Sequence, residues 1–215
     1  MTGRTLHRFT GAVAPLAFVI IVFIAAQAQA ALLGPSSVLF PSPSEPGPTG
    51  GTLLASTAVP FVAGTFSGTL TTEVFNNDSA NPFGPTGHTF TYRLTNNGGS
   101  GHDIQRLAIS NYTGFSTDAS HNAASGTVIP TMITRSSGAG NVVGFNFDTP
   151  TISAGQTSVL LVVQTNATSF NPTTAAVQNG TNAQVASFAP LAVPEPATVS
   201  VLAFAAGAAL LRRRR

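Results

Sequence analysis

The sequence contains no cysteine and no tryptophan, and only 7% of its 215 residues are charged. Without thiols there can be no disulfide bond, no cysteine nucleophile and no zinc–thiolate or iron–sulfur site. The fold must therefore be held by burial of apolar side chains and by hydrogen bonds. Lysine is also absent, so all nine basic residues are arginines.

The positive charge lies mainly at the chain ends, which argues against nucleic-acid binding. Six of the nine arginines fall within the first eight or the last four residues. Residues 31–193 hold three isolated arginines against six acidic residues, a net charge of −3. A protein that binds nucleic acid needs clustered cations to release counterions from the phosphates. We therefore exclude a nucleic-acid partner.

Residues 1–30 have the three-part layout of a secretory signal peptide. Positive charge at residues 4–8 precedes the uncharged apolar stretch 11–26, and small residues follow at Ala28 and Ala30. Sixteen apolar residues are few for a membrane span, and a cleavage site follows them directly. The sequence predicts export, with signal peptidase cutting after Ala30.

The C-terminus carries a second targeting signal. Pro194, Glu195 and Pro196 precede the apolar segment 197–211. As a helix, this segment would span about 22 Å, short of a hydrocarbon core of about 30 Å, although snorkelling arginines can compensate. Arginines retain a segment end in the cytoplasm, so residues 31–193 should face outward. The sequence ends with four arginines, which would act as a membrane stop: Arg212, Arg213, Arg214 and Arg215.

Residues 192–215 resemble the PEP-CTERM sorting signal, in which a Pro-Glu-Pro motif, a short transmembrane helix and an arginine cluster follow in this order. This tail type is also named after the C-terminus of an ice-binding protein. That label describes the sorting signal and not the ectodomain. The resemblance implies recognition by exosortase in a Gram-negative bacterium that makes exopolysaccharide. It further implies an intermediate anchored in the inner membrane, cleavage at or near the motif, and delivery to the cell surface or extracellular matrix.

Between the two signals, composition predicts a linker followed by a folded ectodomain. Residues 31–60 are rich in proline, serine and glycine, which favours extended or irregular chain. Residues 61–191 alternate apolar and polar side chains in several short runs, most clearly in 88–95 and 141–148. Residues 157–165 are apolar on both faces, as in a central strand.

Turn-forming residues separate these runs, and Asn179-Gly180 predicts a hairpin. No stretch of 61–191 has helical periodicity with caps. The expected fold is all-β: an antiparallel β-sandwich, immunoglobulin-like or jelly-roll, flanked by the signal peptide and the short transmembrane helix.

No catalytic, cofactor or metal site is predicted in the ectodomain. His88, His102 and His121 lack the paired short spacings of metal ligands and are expected to be solvated at strand ends. The oxygen-rich loop 76–81 has one formal charge, which favours a self-bonded turn over a calcium site. The Gly-x-Ser-x-Gly motif of a hydrolase is absent.

The favoured function is that of a non-enzymatic envelope or matrix protein with a structural or adhesive role linked to exopolysaccharide or biofilm. Signal peptidase and exosortase would be its processing partners. One alternative is a carbohydrate-binding module, which requires a shallow groove with Tyr92, Tyr112 or phenylalanines exposed. Another is a secreted polysaccharide hydrolase, which requires a cleft lined by two of the six ectodomain acids.

Overall fold

A computed structural model describes residues 30–191 of the chain. The sorting tail 192–215, with Pro194, Glu195, Pro196 and the terminal arginines, lies outside the described residues, as does the signal peptide up to residue 29, including Ala28. The described part contains no helix, and hence none able to cross a membrane. Its eleven strands are β1 (Val38–Leu39), β2 (Thr52–Val62), β3 (Ser67–Asn76), β4 (Thr89–Asn96), β5 (Arg106–Ile109), β6 (Thr117–Asn122), β7 (Met132–Arg135), β8 (Val143–Asn146), β9 (Leu160–Thr165), β10 (Phe170–Asn179) and β11 (Thr181–Pro190).

The strands form two antiparallel sheets, which confirms the all-β prediction. The first sheet has the order β2-β3-β4-β9-β6, and the second has the order β1-β7-β8-β5-β10-β11. Polar bonds join the sheets across the shared interior: Tyr92 Oη donates to the Phe188 carbonyl at 3.0 Å, and the hydroxyls of Thr72 and Ser187 lie 3.2 Å apart. The arrangement is consistent with a β-sandwich.

Side-chain alternation places the core where the sequence predicted it. In β4, Phe90, Tyr92 and Leu94 are all fully buried on the inward face. Strand β9, predicted to be covered on both faces, lies between β4 and β6. The hairpin at Asn179-Gly180 is also confirmed: it joins β10 to β11, and Gly180 adopts a φ of 65°, a conformation that glycine reaches without steric cost.

The segment 31–60, predicted as a linker, is part of the sandwich instead. Leu33 is fully buried in the core, β1 pairs with β7, and β2 begins at Thr52. Proline cannot donate a ladder hydrogen bond, but an edge strand tolerates it. Strand β2 is such an edge strand and contains Pro60. A proline-rich composition is therefore compatible with this position, and the folded domain begins near residue 31 instead of 61.

The first part of this segment covers the free edge of β6. The Leu33 N–H donates to the Thr117 carbonyl at 2.8 Å, and the Glu45 N–H donates to the His121 carbonyl at 2.9 Å. An uncovered edge strand is a template for pairing with other chains. Residues 31–45, which we call the edge segment, protect β6 from such pairing.

Candidate functional site

The three histidines of the ectodomain do not share an environment. His102 is exposed, as predicted, but His88 and His121 are buried, so their expected solvation was wrong. The His88 ring packs edge-on against Phe170, with centroids 5.6 Å apart, and His121 Nδ1 lies 3.1 Å from Ser42 Oγ. Burial lowers the pKa of both imidazoles. No group of three metal-ligating side chains forms anywhere in residues 30–191.

The loop 76–81 is organised by Asp78 as a self-bonded turn. Asp78 is fully buried, and its Oδ1 accepts hydrogen bonds from the backbone N–H groups of Thr49 at 2.8 Å and Ala80 at 3.0 Å. Its Oδ2 accepts from the Thr89 hydroxyl at 2.7 Å and from Gln164 Nε2 at 3.0 Å. Four protein donors therefore occupy the carboxylate: the Ala80 N–H comes from the loop, as the turn interpretation predicts, and the other three come from outside it.

The two tyrosines provide no surface for stacking sugars. Tyr92 and Tyr112 are fully buried, and their hydroxyls lie 2.8 Å apart. Burial raises the pKa of both phenols, so both stay protonated. They are core residues, so a carbohydrate-binding groove with Tyr92 or Tyr112 exposed is ruled out.

Phenylalanines instead line an open groove of about 690 Å³. Phe83 and Phe115, both half-buried, face the groove together with Leu32 of the edge segment, which is 62% exposed. Hydroxyl groups of the 113–117 loop add polar contacts to its wall. An apolar surface with nearby hydroxyls suits the mixed character of a sugar ring.

A buried guanidinium closes one side of the groove. Arg135 is 6% exposed, and its donors bind four backbone carbonyls: those of Gly140 and Leu33 at 2.8 Å each, Tyr112 at 2.7 Å and Phe115 at 2.9 Å. Burial lowers the pKa of Arg135, yet an arginine remains charged in proteins. The groove walls are thus joined to one another through a single side chain.

A second cluster of charge lies where the edge segment meets β6. The carboxyl groups of Glu45 and Asp118 approach each other, and Asp118 is 1% exposed. Burial, followed by the negative charge of Glu45, raises the pKa of the Asp118 carboxyl to about 7. Glu45 Oε1 and both Asp118 oxygens are buried, and none has a hydrogen bond of good geometry within residues 30–191.

The raised pKa of Asp118 is what an acid catalyst needs, but its carboxyl group is covered by protein and does not face the groove. Two carboxyl groups with separated pKa values are typical of glycoside hydrolysis. Neither Asp118 nor Glu45 lines the groove beside Phe115, and the Asp118 oxygens are covered by protein. Two other surface grooves each contain one acid, Glu73 in one and Asp148 in the other. These arrangements lend no support to the hydrolase alternative.

Comparisons with protein-family models, curated proteins and solved structures found no match for this chain. Inferences about its role therefore depend on its own residues.

Sequence reasoning did not single out the groove residues. Phe83 and Phe115 stand among turn formers, in Asn81-Pro82-Phe83-Gly84 and Gly114-Phe115-Ser116, and an aromatic residue inside a turn was the available signal. Arg135 offered no such signal, because one arginine at the end of a strand carries no pattern.

Proposed function

We propose that this chain is an exported, non-enzymatic envelope or extracellular-matrix protein that exosortase sorts and cleaves. The observation that carries the proposal is the order of signals in the sequence: a signal peptide, then an ectodomain, then the Pro-Glu-Pro motif, apolar segment and arginines. Strand β11 ends at Pro190, so the motif begins only a few residues beyond the sandwich. A sorting enzyme would meet the motif directly beside a folded domain.

The ectodomain is suited to a structural or adhesive role linked to exopolysaccharide. Its surface is poor in charge, and the edge segment covers an edge that otherwise invites aggregation. We assign the sandwich to the immunoglobulin-like or jelly-roll class, because every neighbouring pair of strands is antiparallel and several connections cross between the sheets. The signal peptide and the short transmembrane helix complete the proposed organisation.

Intact-mass measurement on the protein from its native cells tests the processing. We expect a chain that starts at Ala31 and ends at or near residues 194–196. A mass that matches residues 31–215 would leave a stably anchored protein and overturn the exosortase step.

Substitution of the motif tests the sorting signal itself. Replacement of Pro194 and Pro196 by alanine should leave export intact and abolish release, because the motif loses the two residues that restrict its backbone to extended conformations. The same exchange at the exposed Pro82 and Pro85 is the matched control and should leave release unchanged. Normal release of the motif variant would refute the assignment.

The groove beside Phe115 favours a second function, carbohydrate binding. The open shape, the half-buried Phe83 and Phe115 and the adjacent hydroxyls support it. Binding of the purified protein to exopolysaccharide from the same cells should weaken at least about tenfold in Phe83→Ala and Phe115→Ala variants, if each ring contributes roughly 1.5 kcal/mol. Replacement of the exposed Phe40, outside the groove, is the control. Equal binding by all three variants would remove this candidate.

A further inference from the structure

Asp118 is a buried carboxyl group that lacks the partner its position demands. It lies on β6 with both oxygens buried and without a well-formed hydrogen bond in residues 30–191. An acidic group buried in this way is costly unless a cation or several donors compensate it. The nearest side chain that acts on it, Glu45, is itself an acid. This unsatisfied site therefore favours a positive group.

The edge segment brings one particular nitrogen to this carboxyl. Leu32 lies opposite Asp118 in an antiparallel bridge. The flanking bonds, from the Leu33 N–H to the Thr117 carbonyl at 2.8 Å and from the Ala119 N–H to the Ala31 carbonyl at 3.3 Å, fix the register. Within that register the Ala31 N–H lies close enough to the Asp118 carboxyl to lower the pKa of that group.

We propose that the Asp118–Glu45 pair is the binding site for the α-ammonium group that signal peptidase creates at Ala31. Cleavage after Ala30 converts the peptide nitrogen of Ala31, already close to Asp118, into a charged donor of three hydrogen bonds. The bridge bonds of the edge segment use the Leu33 N–H and the Ala31 carbonyl, both of which cleavage after Ala30 leaves in place. This inference rests on the proposed export and on the cleavage position.

Among the described residues, no cation acts on the Asp118 carboxyl. Asp118 pairs across the ladder with Gln164 of β9, whose Nε2 is engaged by Asp78. His121, three residues along β6, makes its contact with Ser42, and burial lowers its pKa, which disfavours its charged form. The site thus joins one ammonium group to two carboxyl groups, with neutral neighbours on the adjacent strand.

Processing would move the loss of stability to a higher pH range. While the Ala31 nitrogen is an uncharged amide, Asp118 holds its proton more tightly in the folded state than in the unfolded state. Stability then falls as the pH rises from about 4 to 7. With the ammonium present, the carboxyl ionises more readily and the amine pKa rises above its ordinary value of about 8. Stability is then retained through pH 7 and lost only as the pH rises through the elevated amine pKa.

Because the chain contains no lysine, the Ala31 amine can be modified selectively. The α-amine of the mature protein is its only primary amine, so cyanate carbamylates that group alone and removes its charge. Reductive dimethylation modifies the same nitrogen but keeps the charge. We expect the native mature protein to react with cyanate at least about tenfold more slowly than the urea-unfolded protein, because the folded site withholds the neutral amine.

Thermal unfolding of the mature protein before and after carbamylation measures the coupling. The modified protein should unfold about 5–10 °C lower at pH 7.5, with a much smaller difference at pH 4. Dimethylation should produce a smaller shift. In Asp118→Asn the effect of carbamylation at pH 7.5 should vanish, and in Glu45→Gln it should shrink. The exposed Asp148→Asn variant is the matched control and should keep the full effect.

Four outcomes separate this inference from the proposed export. N-terminal sequencing that finds Ala31, together with a protected amine and a shift that depends on Asp118, supports both. A mature Ala31 terminus that reacts freely, with equal unfolding temperatures before and after carbamylation, overturns the ammonium site and leaves export standing. A mature terminus at another residue near Ala31 has the same consequence, whereas a protein that still begins at Met1 overturns both. Should Asp118→Asn not fold, the carbamylation and dimethylation arms decide the question without a sequence change.

Discussion

Loss of the Arg135 guanidinium should destabilise the sandwich more than loss of any other arginine in residues 31–191. Its four carbonyl partners belong to three separate segments: the edge segment, the 112–115 loop and the β7–β8 turn. In an Arg135→Met variant, the thioether fills part of the space but donates nothing. The carbonyls of Leu33 and Gly140, which belong to buried residues, then lose their donor, whereas the Tyr112 carbonyl keeps the Phe115 N–H at 3.2 Å.

The magnitude follows from the buried carbonyls. A buried polar group left without a partner costs about 1–3 kcal/mol, so two of them cost about 2–6 kcal/mol. The Phe115 carbonyl keeps the Thr117 hydroxyl as a donor at 3.2 Å. The expected loss of about 4 kcal/mol is a large fraction of the 5–15 kcal/mol that stabilises a typical domain. For a domain of roughly 160 residues it corresponds to a fall in Tm of about 8–16 °C.

Urea denaturation of the released protein is a suitable assay, followed by far-UV circular dichroism and by the fluorescence of its two buried tyrosines. Arg106→Met is the matched control. The half-buried Arg106 makes a side-chain bond to Asn146 at 3.2 Å, so its loss should cost about 1 kcal/mol. Arg135→Lys should fall between the two, since an ammonium group cannot reach four carbonyls. Equal stability of Arg135→Met and Arg106→Met would refute the reasoning.

Three further substitutions test the interior, with free energies of unfolding from the same assay. Asp78→Asn should cost about 2–4 kcal/mol, because an amide NH₂ then faces donors; the exposed Asp148→Asn should be neutral. Tyr92→Phe should cost more than Tyr112→Phe, about 2 against about 1 kcal/mol, because only Tyr92 also bonds to Phe188. Gly68→Ala should cost about 1–3 kcal/mol, because its Cβ would lie 2.1 Å from the Thr95 carbonyl oxygen, whereas Gly98→Ala meets nothing within 4 Å. The opposite ranking in any pair would contradict the corresponding contact.

Alternation of side chains made most of the sandwich predictable from the sequence. Strands β3, β4, β8 and β9 follow a period-two pattern or a continuous apolar run, and the hairpin after β10 has a turn sequence that specifies it. These signals are local, so a single sequence is enough to read them. The pairing order of the strands is a non-local property, and no residue pattern predicted it.

The N-terminal third shows where composition misleads. Prolines in residues 35–60 pointed to a linker, but proline is incompatible only with the central strands of a sheet. Strand β2 alternates inward-facing Val59 and Phe61 with outward-facing residues, and Pro60 points away from the core. The alternation was present in the sequence, yet the proline content outweighed it.

The burial of His88 and His121 was missed for a different reason, since a single histidine in a strand does not reveal which face it occupies.

Two interior charges of this charge-poor protein bind the same segment. Arg135 donates to the carbonyl of Leu33, and Asp78 accepts the N–H of Thr49. Both backbone partners lie in residues 31–49, the stretch with few apolar side chains to anchor it. Hydrogen bonds from or to a charged group contribute about twice as much as neutral ones. Buried charges thus hold in place a segment that hydrophobic burial alone would leave loosely attached, and with it the cover over β6.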